Sequence, residues 1–155
     1  MEHRIGGLEK WEETGHVSYD PENHQKMVEL RQEKVDVIAN DITLAKPFGK
    51  GNGDLLVIGW GGTHGALRSA VETAQEKGMS VSHLHLRHLN PLPRNLGEIL
   101  VKFQKVMIAE LNMGQLAAII RSKFLVDAVS LNKIQGKPFT ITEVFKKITK
   151  LVKGA

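Results

Sequence analysis

"VMIAELNMGQLAAIIR" occupies Val106 to Arg121. Four apolar residues, Val106 to Ala109, run into Glu110. Asn112, Gly114 and Gln115 follow, and then a helical pattern begins. A short, continuously apolar run is what a strand buried on both faces requires, because neither face meets water. A strand that leads at once into a helix is half of a parallel crossover. The stretch therefore decides the fold class. Its polar centre raises the functional question, since Glu110, Asn112, Gly114 and Gln115 contribute little to a core.

The same alternation extends outward. Leu55 to Ile58 form a second continuous apolar run, followed by a helix over Ala66 to Lys77 with Leu67, Ala70, Val71 and Ala74 on one side. That helix stops at Gly78, a residue that accepts the left-handed conformation of a helix end. A strand is expected over Val81 to Leu86, a break at "NPLP" (Asn90 to Pro93), and a helix over Leu96 to Phe103. After the strand Val106 to Glu110 come a helix over Gln115 to Phe124 and a strand over Ala128 to Leu131. The last helix starts at Thr140, where Thr140 and Glu143 have capping-box spacing. Ile42 to Ala45 reads as a short strand, and Pro47 suits a sheet edge because proline cannot donate to a ladder. Strands alternating with helices of this length predict an α/β fold, a mainly parallel sheet with helices on both faces. This domain is expected over residues 41–155.

Residues 1–40 read as a connector with one amphipathic helix. Asp20 and Pro21 make an N-cap and first-turn pair. Met27, Leu30, Lys34, Val35 and Ile38 then give only a narrow apolar stripe, so this helix is expected to rest on something outside the chain.

Bulk properties narrow the function. The chain has 155 residues, 41% hydrophobic and 25% charged, which is ordinary for a globular protein. No stretch approaches the roughly 20 apolar residues needed to span a bilayer, and "MEHRIGGLEK" does not read as a signal peptide. A cytoplasmic location without membrane association is the expectation. There are no cysteines, which excludes disulfides, thiol catalysis and a cysteine-ligated iron–sulfur cluster on this chain. The net charge is +4, yet Lys133 to the end carries six lysines against Glu143 alone. In "TITEVFKKITKLVK" those lysines fall mostly off an apolar stripe of Ile141, Val144, Phe145, Ile148, Leu151 and Val152, as on a solvated helix face. No nucleic-acid partner is expected.

In open α/β sheets, ligands and partners meet the loops at the carboxyl ends of strands. Two such loops are candidates: "GWGGTHG", with Gly61, Gly62, Thr63 and His64, and "ELNMGQ", with Glu110, Asn112, Gly114 and Gln115. Glycine lets a neighbour approach the backbone, and the next helix offers free N–H groups. With Gly59 and Gly61 as the first pair of a dinucleotide fingerprint, the third glycine position holds His64. No acidic residue ends the second strand, where His83, His85 and Arg87 lie. A stand-alone ligand- or nucleotide-binding module using the 59–65 loop stays as the second reading, beside plain strand–helix packing at a turn. His83, His85 and His88 form H-x-H-x-x-H. His83 and His85 share a strand face, but a zinc site needs a third protein ligand and none is clear, so no metal site is expected. For "ELNMGQ" two readings stand. Asn112 and Gln115 each offer a donor and an acceptor to a partner, with Glu110 beside them as the first side chain free of the covering helices; or Asn112 caps the following helix and Glu110 is solvated.

"GDLLVIGWGGTHGALRSAVETAQEKG", "LHLRHLNPLPRNL", "VMIAELNMGQLAAIIR" and "IQGKPFTITEV" together resemble the C-terminal domain of the alpha subunit of 2-oxoglutarate:ferredoxin oxidoreductase, a 2-oxoacid oxidoreductase. "RIGGLEKWEETGHVSYDPENHQKMVELRQEKV" is similar to the connector before that domain. "LNPLP" and "ELNMGQL" favour the 2-oxoglutarate type over the pyruvate type. The resemblance implies a transketolase C-terminal-like fold: three layers, α/β/α, and a mainly parallel five-stranded sheet with one antiparallel edge strand, here Ile42 to Ala45. It implies that the full enzyme decarboxylates a 2-oxoacid oxidatively with thiamine diphosphate, hands the acyl group to coenzyme A, and passes electrons through an iron–sulfur cluster to ferredoxin. The motifs that contact substrate and thiamine in that family are absent here. The chain is therefore expected to be a fragment or a separately encoded piece, inactive alone, with no catalytic, cofactor or metal residue. Its expected role is assembly, through Gly61, Gly62, Thr63, His64, Glu110, Asn112, Gly114 and Gln115. The implied partners are the remainder of the alpha subunit, the beta subunit and, for the full complex, ferredoxin; a homodimer is compatible with the resemblance.

Overall fold

A computed structural model describes residues 7–154. The first six residues, where the expected connector and the stretch read as lacking a signal peptide begin, lie outside the described residues. The chain divides into two compact units between Ile42 and Thr43.

In the first unit, an antiparallel bridge joins Lys10 and Val17. Helix α1 follows over Pro21–Asp36, with the Asp20 carboxyl accepting from the Asn23 N–H. Asn23 is the buried residue of the helix. It donates to the Lys10 carbonyl and accepts from the Glu12 N–H. Arg31 reaches Glu9 with both guanidinium nitrogens at 2.8 and 3.1 Å. That contact, with the Lys10 N–H and His24, draws the Glu9 carboxyl down to about 2. Polar contacts hold this unit together, and Val28, Leu30, Val37 and Ile38 stay exposed.

The second unit is built around a four-stranded parallel sheet in the order β2-β1-β3-β4. Its strands are β1 (Gly53–Trp60), β2 (Val81–Leu86), β3 (Phe103–Glu110) and β4 (Val129–Asn132). The register aligns Leu55 with Val81 on one side of β1 and Gly59 with Ala109 on the other. Alternation along the strands sends Leu56, Ile58, Leu84, Leu86, Val106 and Ile108 to one face. Helices α3 (Leu96–Leu100) and α4 (Gln115–Phe124) cover that face. Leu55, Val57, Val81, Met107 and Ala109 go to the other. There α2 (His64–Glu76) and α5 (Ile141–Lys153) pack through Leu67, Ala70, Val71, Val144 and Ile148. The three-layer α/β/α arrangement follows from strands with two apolar faces, each of which needs a cover.

The expected fifth strand is corrected. Ile42 to Ala45 does not pair with the sheet as a strand. The Ala45 N–H donates to the Asn95 side chain at 2.9 Å and the Ala45 carbonyl accepts from it at 2.8 Å. The Ala45 backbone is thus already bonded, and Pro47 has no N–H to offer. One antiparallel bridge remains, between Phe48 and His83. The helix expected to reach Phe103 stops at Leu100, because Phe103 opens β3 opposite Gly53. The capping box of α5 forms, with the Glu143 carboxyl accepting from the Thr140 N–H at 2.7 Å. Lys133, together with the Thr140 backbone and hydroxyl, draws the Glu143 carboxyl down to about 2.

Gly59 explains the first glycine of the glycine-rich loop. A Cβ there would sit 2.2 Å from Leu67 Cδ1 and 2.5 Å from Thr63 Oγ1. Strand β1 and helix α2 approach this closely only because Gly59 has no side chain. Gly59→Ala is expected to cost about 1–3 kcal/mol of stability by overpacking. Gly62→Ala, whose Cβ would meet nothing within 4 Å, should leave stability nearly unchanged. Urea denaturation of both variants checks this, and equal midpoints would reject the packing account.

Candidate functional site

Sheet order locates the site. From β1 the chain turns into α2 on one face, and from neighbouring β3 it turns into α4 on the opposite face. The loops after these two strands diverge and leave a crevice at their carboxyl ends, the switch point of an open α/β sheet. A cavity of about 140 Å³ lies there, lined by Trp60, Gly61, Gly62, Thr63, Leu111 and Asn112. Both sequence-predicted loops contribute to it. The volume falls below the roughly 300 Å³ at which small-molecule clefts begin, which disfavours a nucleotide in the 59–65 loop.

Glu110 is enclosed within its own chain. It is the last residue of β3 and is 0% exposed. Its carboxyl oxygens accept from the backbone N–H groups of Leu116 and Ala117, both at 2.9 Å. Asn112 Nδ2 donates to it at 3.0 Å and the Trp60 indole N–H at 3.4 Å. A helix leaves its first N–H groups unbonded and carries partial positive charge at that end. Glu110 supplies the missing acceptors from the strand that precedes the helix. The expectation that Glu110 stands free of the covering helices is corrected, and so is the alternative that it is solvated. A carboxyl group at the end of an apolar strand could have signalled this role, because the next helix needs acceptors there.

The remaining candidates divide into those used inside the fold and those turned outward. Asn112 accepts from the N–H groups of Gly114 at 2.7 Å and Gln115 at 3.3 Å, so both ends of its amide are occupied. Gly114 has φ +102°, a conformation that side chains other than glycine's rarely adopt. Thr63 is buried and donates its hydroxyl to the Trp60 carbonyl at 2.9 Å. Gly61, Gly62, His64 and Gln115 are exposed, and among the described residues the Gln115 side chain makes no hydrogen bond. Two exposed apolar residues of the same loop, Leu111 at 39% and Met113 at 78%, escaped the sequence reading. Their signal was an apolar pair set among polar loop residues.

The histidines assemble differently from the H-x-H-x-x-H pattern. His83 and His85 share the α2 face of β2, and the third imidazole is His64, at the start of α2. Its ring centre lies 5.5 Å from that of His83 and 4.9 Å from that of His85. His88 is exposed beyond the strand end. No group of three or more potential ligands among the described residues has metal-binding geometry. Burial, with the positive fields of His64, His85 and Arg68, lowers the His83 pKa from 6.5 to about 3. The same kind of influence, led by burial, lowers that of His85.

Glu110→Ala is expected to destabilise the chain by about 2–6 kcal/mol, because two buried N–H groups lose their acceptor at about 1–3 kcal/mol each. Glu110→Gln, which keeps one acceptor oxygen, should lose distinctly less; equal losses would argue against the hydrogen-bond account. For His83 the sign follows from its lowered pKa. Between pH 6.5 and about 3 the unfolded chain binds a proton that the folded chain refuses, so stability falls as pH falls through that window. Across that window the parent's denaturation midpoint should fall toward acid pH relative to that of His83→Leu, which has no imidazole to protonate. Parallel curves would reject this assignment.

Comparison with known proteins agrees with the geometry. The model of pyruvate:ferredoxin oxidoreductase core domain II matches residues 53–144. The 2-oxoglutarate oxidoreductase subunit KorA of Mycobacterium tuberculosis is 45% identical over 99% of this chain and 23% of its own length. The structure of 2-oxoglutarate:ferredoxin oxidoreductase from Magnetococcus marinus, with 2-oxoglutarate, coenzyme A and succinyl-CoA bound, superposes with a TM-score of 0.88 at 27% identity. That match covers 97% of this chain and 27% of the other. A split-gene transketolase, an inactive β4 tetramer, shares the fold at a TM-score of 0.55 and 15% identity, over 70% of this chain and 41% of its own. The chain spans about a quarter of the length of the curated relatives it matches. With its helix-covered parallel sheet and its switch-point loops, this chain belongs to the family of pyruvate:ferredoxin oxidoreductase core domain II.

Proposed function

We propose that this chain is a noncatalytic assembly domain of the alpha subunit of a 2-oxoglutarate:ferredoxin oxidoreductase. The observation that carries the reading is the likeness of nearly the whole chain to one part of a 2-oxoglutarate oxidoreductase subunit. The site supports it: Glu110, Asn112 and Thr63 spend their polar groups inside the fold. They leave a stiff rim on which Gly61, Gly62, His64 and Gln115 stand outward beside Leu111 and Met113. Such a rim suits a protein surface, where apolar contact supplies affinity and a few polar groups set register.

In this proposal residues 1–40 are a connector, and the exposed apolar residues of α1 rest on another part of the subunit. Residues 41–155 are the transketolase C-terminal-like domain. The partners are the remainder of the alpha subunit and the beta subunit, with ferredoxin as the electron acceptor of the complex, all in the cytoplasm. Thiamine diphosphate and the iron–sulfur cluster belong to other parts of that complex. The absence of cysteine from this chain is consistent with a cluster ligated elsewhere.

The purified chain, supplied with 2-oxoglutarate, thiamine diphosphate, coenzyme A and a dye acceptor, is expected to show no turnover; activity above background would overturn the reading. Gln115→Ala should leave its melting unchanged and weaken association with the rest of the oxidoreductase. Asn112→Ala should lower stability by about 0.5–2 kcal/mol through the lost cap. If Gln115→Ala assembles normally, the rim serves only its own domain.

A further inference from the structure

On the same carboxyl edge, beyond β2, a second cavity of about 260 Å³ is lined by Thr43, Lys46, His85, Arg87, His88 and neighbouring apolar residues, with no aspartate or glutamate among them. Lys46 and Arg87 make no ion pair among the described residues. Lys46 and Arg87 are exposed and line one cavity without a counter-charge, so an anion there would be attracted by both. The walls are held in place. The backbone of Ala45 is pinned by the Asn95 amide on both its N–H and its carbonyl. Phe48 exchanges two backbone hydrogen bonds with His83, at 2.7 and 2.9 Å. The segment bearing Lys46 therefore spans two fixed points. The opposite wall is the end of β2, where His85 pairs in register with Gly59. His85 Nδ1 finds no hydrogen-bond partner within the chain.

We propose that this cavity binds a small oxyanion of the phosphate class, with Arg87 and Lys46 as the charged donors and the imidazole N–H groups of His85 and His88 as further donors. Arg87 presents a planar pair of N–H donors that matches two oxygens of one phosphoryl group, and Lys46 adds a point charge. The volume equals about nine water molecules at roughly 30 Å³ each, which leaves room for a compact anion and water around it. The positive field of Arg87 already helps to hold the His85 pKa below its ordinary value. A bound anion offsets that field, so the His85 titration moves upward when the site fills. This site is independent of the assembly reading, because the chain alone carries every residue it needs.

The test is an NMR titration of the full 155-residue chain with inorganic phosphate at neutral pH, following the imidazole resonances of His85 and His88. Sodium chloride at matched ionic strength is the control. Saturable shifts are expected with half-saturation below about 10 mM. Arg87→Gln should weaken binding at least about tenfold, because a charge-assisted hydrogen bond is lost. The Lys46→Gln, Arg87→Gln double variant should abolish it, while Lys102→Gln, at an exposed lysine outside the cavity, should bind normally. The proposal is overturned if chloride reproduces the shifts, if no saturation occurs, or if the double variant responds like the parent chain. Phosphate binding would stand even if the assembly tests failed, and failure here would leave those tests untouched.

Discussion

Glu110 is the joint on which the carboxyl edge of the sheet depends. It closes β3, accepts from the first free N–H groups of α4, and takes the Trp60 indole from the end of β1. One side chain thus links two neighbouring strands to the helix that leaves one of them. Its burial is tolerable because its oxygens are hydrogen-bonded from several directions, and a buried polar group is costly only when it lacks partners. The loop between strand and helix cannot swing, because Asn112 is bonded at once to Glu110 and to the backbone of Gly114 and Gln115. The switch-point crevice is therefore a framed surface.

This framing bears on function. A site for chemistry needs side chains with spare hydrogen-bonding capacity pointing at a reacting group. Here the acid and the amide of the candidate loop, Glu110 and Asn112, are committed to holding the backbone. What is left outward is glycine backbone, one imidazole, one amide and two apolar side chains, a composition suited to contact. The first unit is also incomplete in its apolar burial, since α1 hides little beyond Asn23 and leaves Val28 and Leu30 exposed, with Val37 and Ile38 exposed just after it. Both features accord with the proposed place of this chain inside a larger subunit. The histidines around β2 show the opposite economy. His83 is enclosed with its Nε2 unbonded in the chain, and its neutrality is maintained by burial and by the cations beside it.

Much of this was legible from residue order alone. The apolar runs at Leu55–Ile58 and Val106–Ala109 dictate strands covered on both faces, because nothing else hides so many consecutive apolar side chains in a short segment. The stops at Gly78 and the capping box at Thr140 mark helix ends through local chemistry, and they mark them in the structure. The quoted motifs pointed to the right family for the same reason, since a resemblance rests on residue order. The tertiary structure alone decided matters that depend on groups far apart in the chain. Whether Ile42 to Ala45 joins the sheet turned on Asn95, fifty residues away, which takes the backbone of Ala45. Whether Glu110 faces water, a partner or its own helix turned on Trp60 and on the start of α4. The third imidazole beside His83 and His85 came from another element. Local order sets which segments are strands and helices, because propensity and apolar period act over a few residues. It cannot set which polar groups become each other's partners, because that is fixed only when the sheet order brings distant strand ends together.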